Sequence, residues 1–257
     1  MLNFRNVNIL FLALLALTIG ADIRFGIAWY VYLILPFLYS IILFYGCYFV
    51  HSNFFIPVIC SLKTDEKVVA ISFDDGPVAG NTGKILQTLK DNDVKAAFFC
   101  IGNRIADNED VLKQVYNEGH LIGNHTYTHH FWFDMFSSKK MLSDMQLMDE
   151  LTNETIGKKP KLFRPPYGIT NPNLKRAITN GNYIPVGWNA RSLDTVIKDE
   201  EKLLSKMMGK LRPGAVFLFH DTSDATVAIL PAFIKYIHTN GYQIIRPDKM
   251  LNLQAYA

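Results

Sequence analysis

The stretch VVAISFDDGP, residues 68–77, decides how this chain is read. Residues 68–73 (VVAISF) form a continuous rather than alternating apolar run, as expected of a parallel strand covered on both faces. Two aspartates, Asp74 and Asp75, follow at once, and Gly76 and Pro77 close the exit. Adjacent carboxylates repel, and burying either is costly unless a cation or hydrogen bonds compensate. A polar turn at a strand end is the plainer alternative, because Asp, Gly and Pro are ordinary turn formers. The rest of the chain separates the two.

Further strand-like runs lie at 95–101 (KAAFFCI), 121–123 (LIG), 161–164 (KLFR), 183–188 (YIPVGW), 215–220 (AVFLFH) and 242–246 (YQIIR). Helical patterns at 82–92, 108–119, 137–157, 198–211 and 225–241 separate most of them. In 137–157, Met141, Met145, Leu147, Met148 and Leu151 recur at helical spacing and read as a core face rather than ligands. Asn171 followed by Pro172 reads as a helix cap and first-turn proline. This alternation predicts an α/β fold over 67–257, a barrel-like arrangement of about seven parallel strands. An open doubly wound sheet is the runner-up, but no glycine-rich dinucleotide loop follows the first strand.

The first part of the chain has a different character. Residues 27–50 carry no Asp, Glu, Lys or Arg, and their aromatics near both ends suit membrane interfaces. A second apolar run, 7–21, precedes them, separated by DIRFG. The expectation is a transmembrane hairpin (helices at 7–23 and 27–50) within an anchor at 1–56, then a linker at 57–66 and a catalytic domain at 67–257. A signal peptide is the rival reading of the first run. Arg5, Lys63 and Lys67 flank the hairpin against Arg24 in its turn, which leans towards a cytoplasmic domain by the positive-inside rule. Cys47, Cys60 and Cys100 show neither metal nor redox spacing. With a net charge of +3 and no nucleic-acid-binding motif, nucleic acid is set aside as a partner.

Polar residues gather where the expected strands end: Asp74 and Asp75, Asn124 and His125, Arg164, Trp188, then His220 and Asp221. In parallel barrels that end carries the active site. HTYTH (125–129) spaces two histidines four apart, which would set both rings on one face of a helical turn. Two imidazoles and a carboxylate are a common set for catalytic zinc. One aspartate would then bind a cation, and its neighbour would take a proton from water; the metal offsets their repulsion.

In SFDDGP (72–77), HTYTH (125–129), RPPYG (164–168) and LFH (218–220), the chain resembles the polysaccharide deacetylase family, with its NodB homology domain, also called carbohydrate esterase family 4. The resemblance covers about three quarters of the chain and implies a distorted (β/α) barrel. It implies Asp74 as general base, Asp75, His125 and His129 as metal ligands, and His220 as general acid. Arg164 would orient Asp74, Tyr167 would offer its backbone N–H to the oxyanion, and Leu218 would line the acetyl pocket. Pro165, Trp188 and Arg191 are expected beside the substrate. The residues alone leave plainer readings: Leu218 as core, Tyr167 as a rim aromatic, Arg164 as an ion-pair partner. The fourth motif departs from the family's Asp-x-x-Asp-Trp: WNARSLDT (188–195) puts Arg191 at the first aspartate and Asp194 at the second. Asp194 or Asp221 would tune the acid, or the acid is differently poised. An arginine there could also receive a phosphate or carboxylate.

The expected activity is metal-dependent removal of N-acetyl groups from an amino-sugar glycan or glycolipid, cell-wall glycan first, with zinc ahead of cobalt or another divalent ion. The alternatives are a deacylase of lipid-linked amino sugars on the cytoplasmic face and a catalytically silent carbohydrate-binding relative. Expected partners are the N-acetylated substrate and the lipid bilayer. The expected place is the cytoplasmic membrane with the catalytic domain outside, because most members of the family act on extracellular glycans.

Overall fold

The computed structural model describes residues 2–257. After the first two helices the chain forms a parallel sheet curled into an open barrel. The strands are β1 (Val68–Asp74), β2 (Ala97–Cys100), β3 (Leu121–Asn124), β4 (Leu162–Phe163), β5 (Ile184–Pro185), β6 (Ala190–Arg191), β7 (Ala215–His220) and β8 (Gln243–Ile244). Seven form a path in the order β5-β4-β3-β2-β1-β7-β6, and β8 pairs with β1 beside it. All pair in parallel. The expected runs all contain strands: β7 fills its run, β1 and β3 reach one residue further, and the other four are shorter; β6 is additional.

Strand alternation sorts the side chains. Val69, Ile71 and Phe73 of β1, with Ala215, Phe217 and Phe219 of β7, face outward into the principal core beneath the helices. Their neighbours Ser72, Asp74, Leu218 and His220 therefore face the barrel interior. Register sets Asp74 directly opposite His220 on the adjacent strand. Gly123 leaves the interior to the Phe99 ring, which a Cβ there would meet at 2.4 Å.

Among the described residues, ten α-helices accompany the sheet. The first two, α1 (Phe4–Phe25) and α2 (Val31–Tyr48), precede β1. Those around the barrel are α3 (Asn81–Asp91), α4 (Gly102–Ala106), α5 (Glu109–Asn117), α6 (Ser138–Ile156), α7 (Pro172–Gly181), α8 (Glu200–Met208), α9 (Asp224–Thr239) and α10 (Pro247–Met250). Ser137 and Asn171 cap α6 and α7 by accepting from Lys140 N–H and Leu174 N–H. Along α6, Met141, Met145 and Met148 are buried as expected, but Leu147 is 46% exposed. The inward stripe continues to Thr152 instead, because a step of two residues from Met145 turns about 200° around a helix.

Helices α1 and α2 lie against one another, with Phe11 stacked on Tyr39 at 4.3 Å. The carboxylate of Asp22 accepts from Ile27 N–H and Tyr32 O–H, which closes the turn. Both helices are long and apolar enough to cross a membrane. Their far ends are built onto the barrel. Thr170 donates from its N–H to the Cys47 carbonyl and from its hydroxyl to that of Gly46. Residues 57–66 run along the barrel: Val58 and Cys60 are buried, Ile59 pairs with Val186, and Ser61 pairs with Ala215.

Candidate active site

Asp74, Asp75, His125, His129, Tyr167, Trp188, Arg191, Leu218 and His220 line one recess of about 140 Å³ at the carboxyl ends of the strands. Thr195 also borders it. Asp194 and Arg164 lie buried behind this wall, and Pro165 is buried next to Arg164.

Asp75 leaves the strand at φ 77°, with its carbonyl accepting from Arg104 Nη1 at 2.5 Å. The next residue must be glycine, since a Cβ on Gly76 would fall 1.8 Å from the Asp221 carboxylate. Asp75 Oδ1 lies 3.5 Å from His125 Nε2 and 3.6 Å from His129 Nε2. Donors about 2.1 Å from a tetrahedral ion stand about 3.4 Å apart, so Asp75 is at ligand spacing from each ring, and all three ligand atoms lie within 4.8 Å of one another. The Nδ1 of His125 faces the Arg164 carbonyl at 2.8 Å, which leaves Nε2 free for a metal. Burial would raise Asp75, yet the two histidines overcome it and hold the carboxylate well below its usual range. Burial and the neighbouring His125 push His129 down to about 4. Both directions favour the ligating forms.

The histidine pair does not sit on a helical turn. Residues 125–129 form an irregular loop with Thr126 at φ 69° and His129 at φ 44°. Gly102 N–H and Asn103 N–H bond to the carbonyls of Thr126 and Tyr127 and pin it. These left-handed residues, rather than helical periodicity, bring the rings to 4.8 Å.

Arg164 is fully buried and fills the barrel floor. Its Nη1 donates to Asp74 Oδ1 at 2.6 Å and to Ser72 Oγ at 2.8 Å. Nε and Nη2 donate to the Val186 and Gly187 carbonyls, and the guanidinium lies 3.9 Å from the Phe99 ring centre. With Oδ1 so occupied, Asp74 turns Oδ2 towards the cluster of Asp75, His125 and His129, which could hold a metal ion, and that oxygen lies 3.8 Å from His125 Nε2.

Across the recess, His220 Nδ1 bonds Asp194 Oδ1 at 2.7 Å. Asp194 Oδ2 accepts from His220 N–H and from the Thr226 hydroxyl. Burial would lower His220, but Asp194 outweighs it and raises the imidazole above its ordinary value. Asp221 takes no part: its carboxyl accepts from Thr82, and burial pushes it up to about 7. Asp194→Asn is therefore expected to move the alkaline limb of a kcat/KM–pH profile to lower pH, because the imidazolium loses its anion. At pH 8 the loss should be on the order of tenfold or more. An unshifted limb would show that Asp194 does not set the acid.

Tyr167 sits at φ 59°, and among the described residues its N–H meets no protein acceptor. Its ring stands edge-on to His129 at 4.9 Å. Leu218, 1% exposed, shows only its edge to the recess. Trp132, 58% exposed, is not part of the core, and Phe131 beside it is also exposed. His120 is a buried core histidine, lowered to about 4 by burial. Ser72, which accepts from Arg164 Nη1, and Thr226, which donates to Asp194 Oδ2, were not singled out in the sequence; single hydroxyls within apolar runs carry no pattern.

The family model for polysaccharide deacetylase matches residues 61–185. Peptidoglycan-N-acetylglucosamine deacetylase of Bacillus cereus is 33% identical over 186 residues, covering 71% of this chain and 67% of that protein. A solved peptidoglycan N-acetylglucosamine deacetylase superposes with a TM-score of 0.74 at 29% identity, covering 78% of this chain and 95% of the other. The chitin deacetylase of Colletotrichum lindemuthianum gives 0.71 at 27% identity, covering 78% and 94%.

Proposed function

The chain belongs to the polysaccharide deacetylase family, and from that premise we propose a working site for the metal-dependent removal of N-acetyl groups from cell-wall glycan. The observation that carries this reading is the pairing across one recess of an arginine-held carboxylate, Asp74, with an aspartate-held imidazole, His220. A catalytically silent relative would have no use for both.

Asp75, His125 and His129 would hold the ion, and their mixed nitrogen and oxygen donors suit zinc first. When bound, the ion supplies Lewis acidity to the acetyl carbonyl and to the attacking water. Asp74 Oδ2 accepts the proton as the water oxygen bonds to the carbonyl carbon. The Tyr167 N–H meets the negative charge that develops on the carbonyl oxygen. His220 Nε2, with Nδ1 committed to Asp194, donates a proton to the nitrogen as the C–N bond breaks. Acetate and a free amino sugar result. Leu218 contacts the acetyl methyl group, while Trp188 and Pro165 shape the wall.

The test is to strip full-length protein in detergent with a chelator and assay N-acetylglucosamine oligomers for released acetate. Activity should fall to background and return with zinc or cobalt. Turnover indifferent to the chelator would rule out the metal's role.

We also read α1 and α2 as a membrane anchor within 1–56, joined through 57–66 to the catalytic domain at 67–257, which lies on the extracytoplasmic face. The apolar, exposed surfaces of both helices support the anchor. The face follows from cell-wall glycan as substrate, against a charge bias of few residues worth about 1 kcal/mol each. Protease added to intact spheroplasts should cleave the domain. Resistance until the membrane is opened would place it inside and favour a lipid-linked amino sugar.

A further inference from the structure

Arg191 is the charge in the recess that the proposed chemistry leaves unused. It occupies β6, in register with Leu218 of β7, and so faces the barrel interior one step from the acetyl pocket. Every carboxylate around it is already matched. Asp74 is bound by Arg164 and Asp194 by His220, while Asp75 faces the two metal-ligand histidines. Among the described residues Arg191 makes no ion pair, and its Nε is buried with no hydrogen-bond partner. Its one evident neighbour is the Trp188 ring, whose centre lies 5.6 Å from the guanidinium carbon. That cation–π contact satisfies none of the fork's donors.

The surroundings are cationic as well. Lys206 is lowered by burial and then by Lys210 and Arg191, and Lys198 reaches the Asp194 carbonyl. A buried guanidinium donor without an acceptor is costly in the free protein. Among the described residues its Nη atoms carry no protein hydrogen bond either, and a carboxylate or phosphate entering the recess that Arg191 lines would meet them with paired hydrogen bonds.

We infer that Arg191 forms an anion subsite of the groove, taking a carboxylate or phosphate carried by the amino sugar beside the acetamido group that is cleaved. This rests on the deacetylase reading above. Arg191 pairs with Leu218 across β6 and β7, and His220 lies two residues further along β7, so a sugar with its acetamido group between Leu218 and His220 would have Arg191 beside it. A lactyl ether on the adjacent carbon supplies a carboxylate, and a sugar phosphate supplies the same chemistry. The wild-type groove therefore selects acidic amino sugars over neutral ones.

The experiment compares full-length wild type, Arg191→Gln and Arg191→Lys on three tetrasaccharides. One is neutral and built of N-acetylglucosamine; one carries lactyl carboxylates as in muramic acid; one carries a phosphate. Arg191→Gln should lower the acidic-to-neutral ratio of kcat/KM at least tenfold, mainly through KM, and Arg191→Lys should recover part of it. Converting the lactyl carboxylate to its amide should erase the wild-type preference and the effect of Arg191→Gln together. Whichever acidic probe shows the larger change names the source of the anion. A ratio that is the same in wild type and Arg191→Gln for both acidic probes overturns the inference. The same three probes are titrated onto Asp74→Asn and the Asp74→Asn, Arg191→Gln pair, where Kd replaces turnover. Should no probe be deacetylated by wild type, the deacetylase reading fails while the Kd ratios still judge Arg191.

Discussion

Asp74→Asn is expected to lower kcat by about 10³-fold while leaving Kd for metal and glycan within a few-fold of wild type. The amide keeps the shape of the carboxylate, and its oxygen can still accept from Arg164 Nη1, which holds Asp74 Oδ1 at 2.6 Å. The atom facing the ligand set then carries amide hydrogens in place of a lone pair able to take a proton. Positioning and electrostatics survive, and proton acceptance does not. Acetate release by the variant, read with titration calorimetry on the same preparation, checks both halves. A variant with wild-type kcat would remove Asp74 from the reaction.

Arg164→Met should cost more in stability than any other single change at the site, about 3–5 kcal/mol. The methionine fills part of the volume but leaves the Asp74 carboxylate, 3% exposed, without its cation. The carbonyls of Val186 and Gly187 lose their donors at the same time. Fully buried charges whose partner is removed dominate the severe end of mutational effects. Denaturant midpoints should fall, and the fraction that stays folded should lose at least ~100-fold in kcat as the base swings free. Arg164→Lys restores charge but not the fork, and should recover stability more than rate. A folded Arg164→Met protein with full activity would refute the orienting role.

The strands were legible because parallel strands buried on both faces must be continuously apolar, as β1 and β7 are. What lay beyond reach were features set by backbone rather than composition. Strand β6 is two residues long and defined by its pairing with β7, so nothing in Ala190–Arg191 distinguishes it from loop. The spacing in HTYTH suggested a helical turn, whereas left-handed Thr126 and His129 do the folding, and a β-branched residue such as Thr126 gives no sign of that conformation. Among the ionisable groups, the sequence left the partner of His220 open between Asp194 and Asp221. Distance separates them, because strand register brings His220 to β7's end beside the loop carrying Asp194, while Asp221 turns under Gly76. Leu147 fitted the helical stripe by composition and missed it by angle.

The bonds from Thr170 to the last carbonyls of α2 have a consequence for where in a cell wall such an enzyme acts. Thr170 lies three residues beyond Tyr167, so the end of the helix and the mouth of the groove share one loop. With the hairpin seated in a bilayer, the groove cannot be paid out on a tether; it stays at one altitude above the lipid and travels only sideways. For a wall polymer laid down at the membrane and displaced outward by newer layers, such a groove reaches each strand from below. A strand is then within range only early in its life, and its acetylation is settled before it moves beyond reach. The acetyl pattern across the thickness of the wall becomes a dated record, each layer preserving the activity of the enzyme when that layer was new.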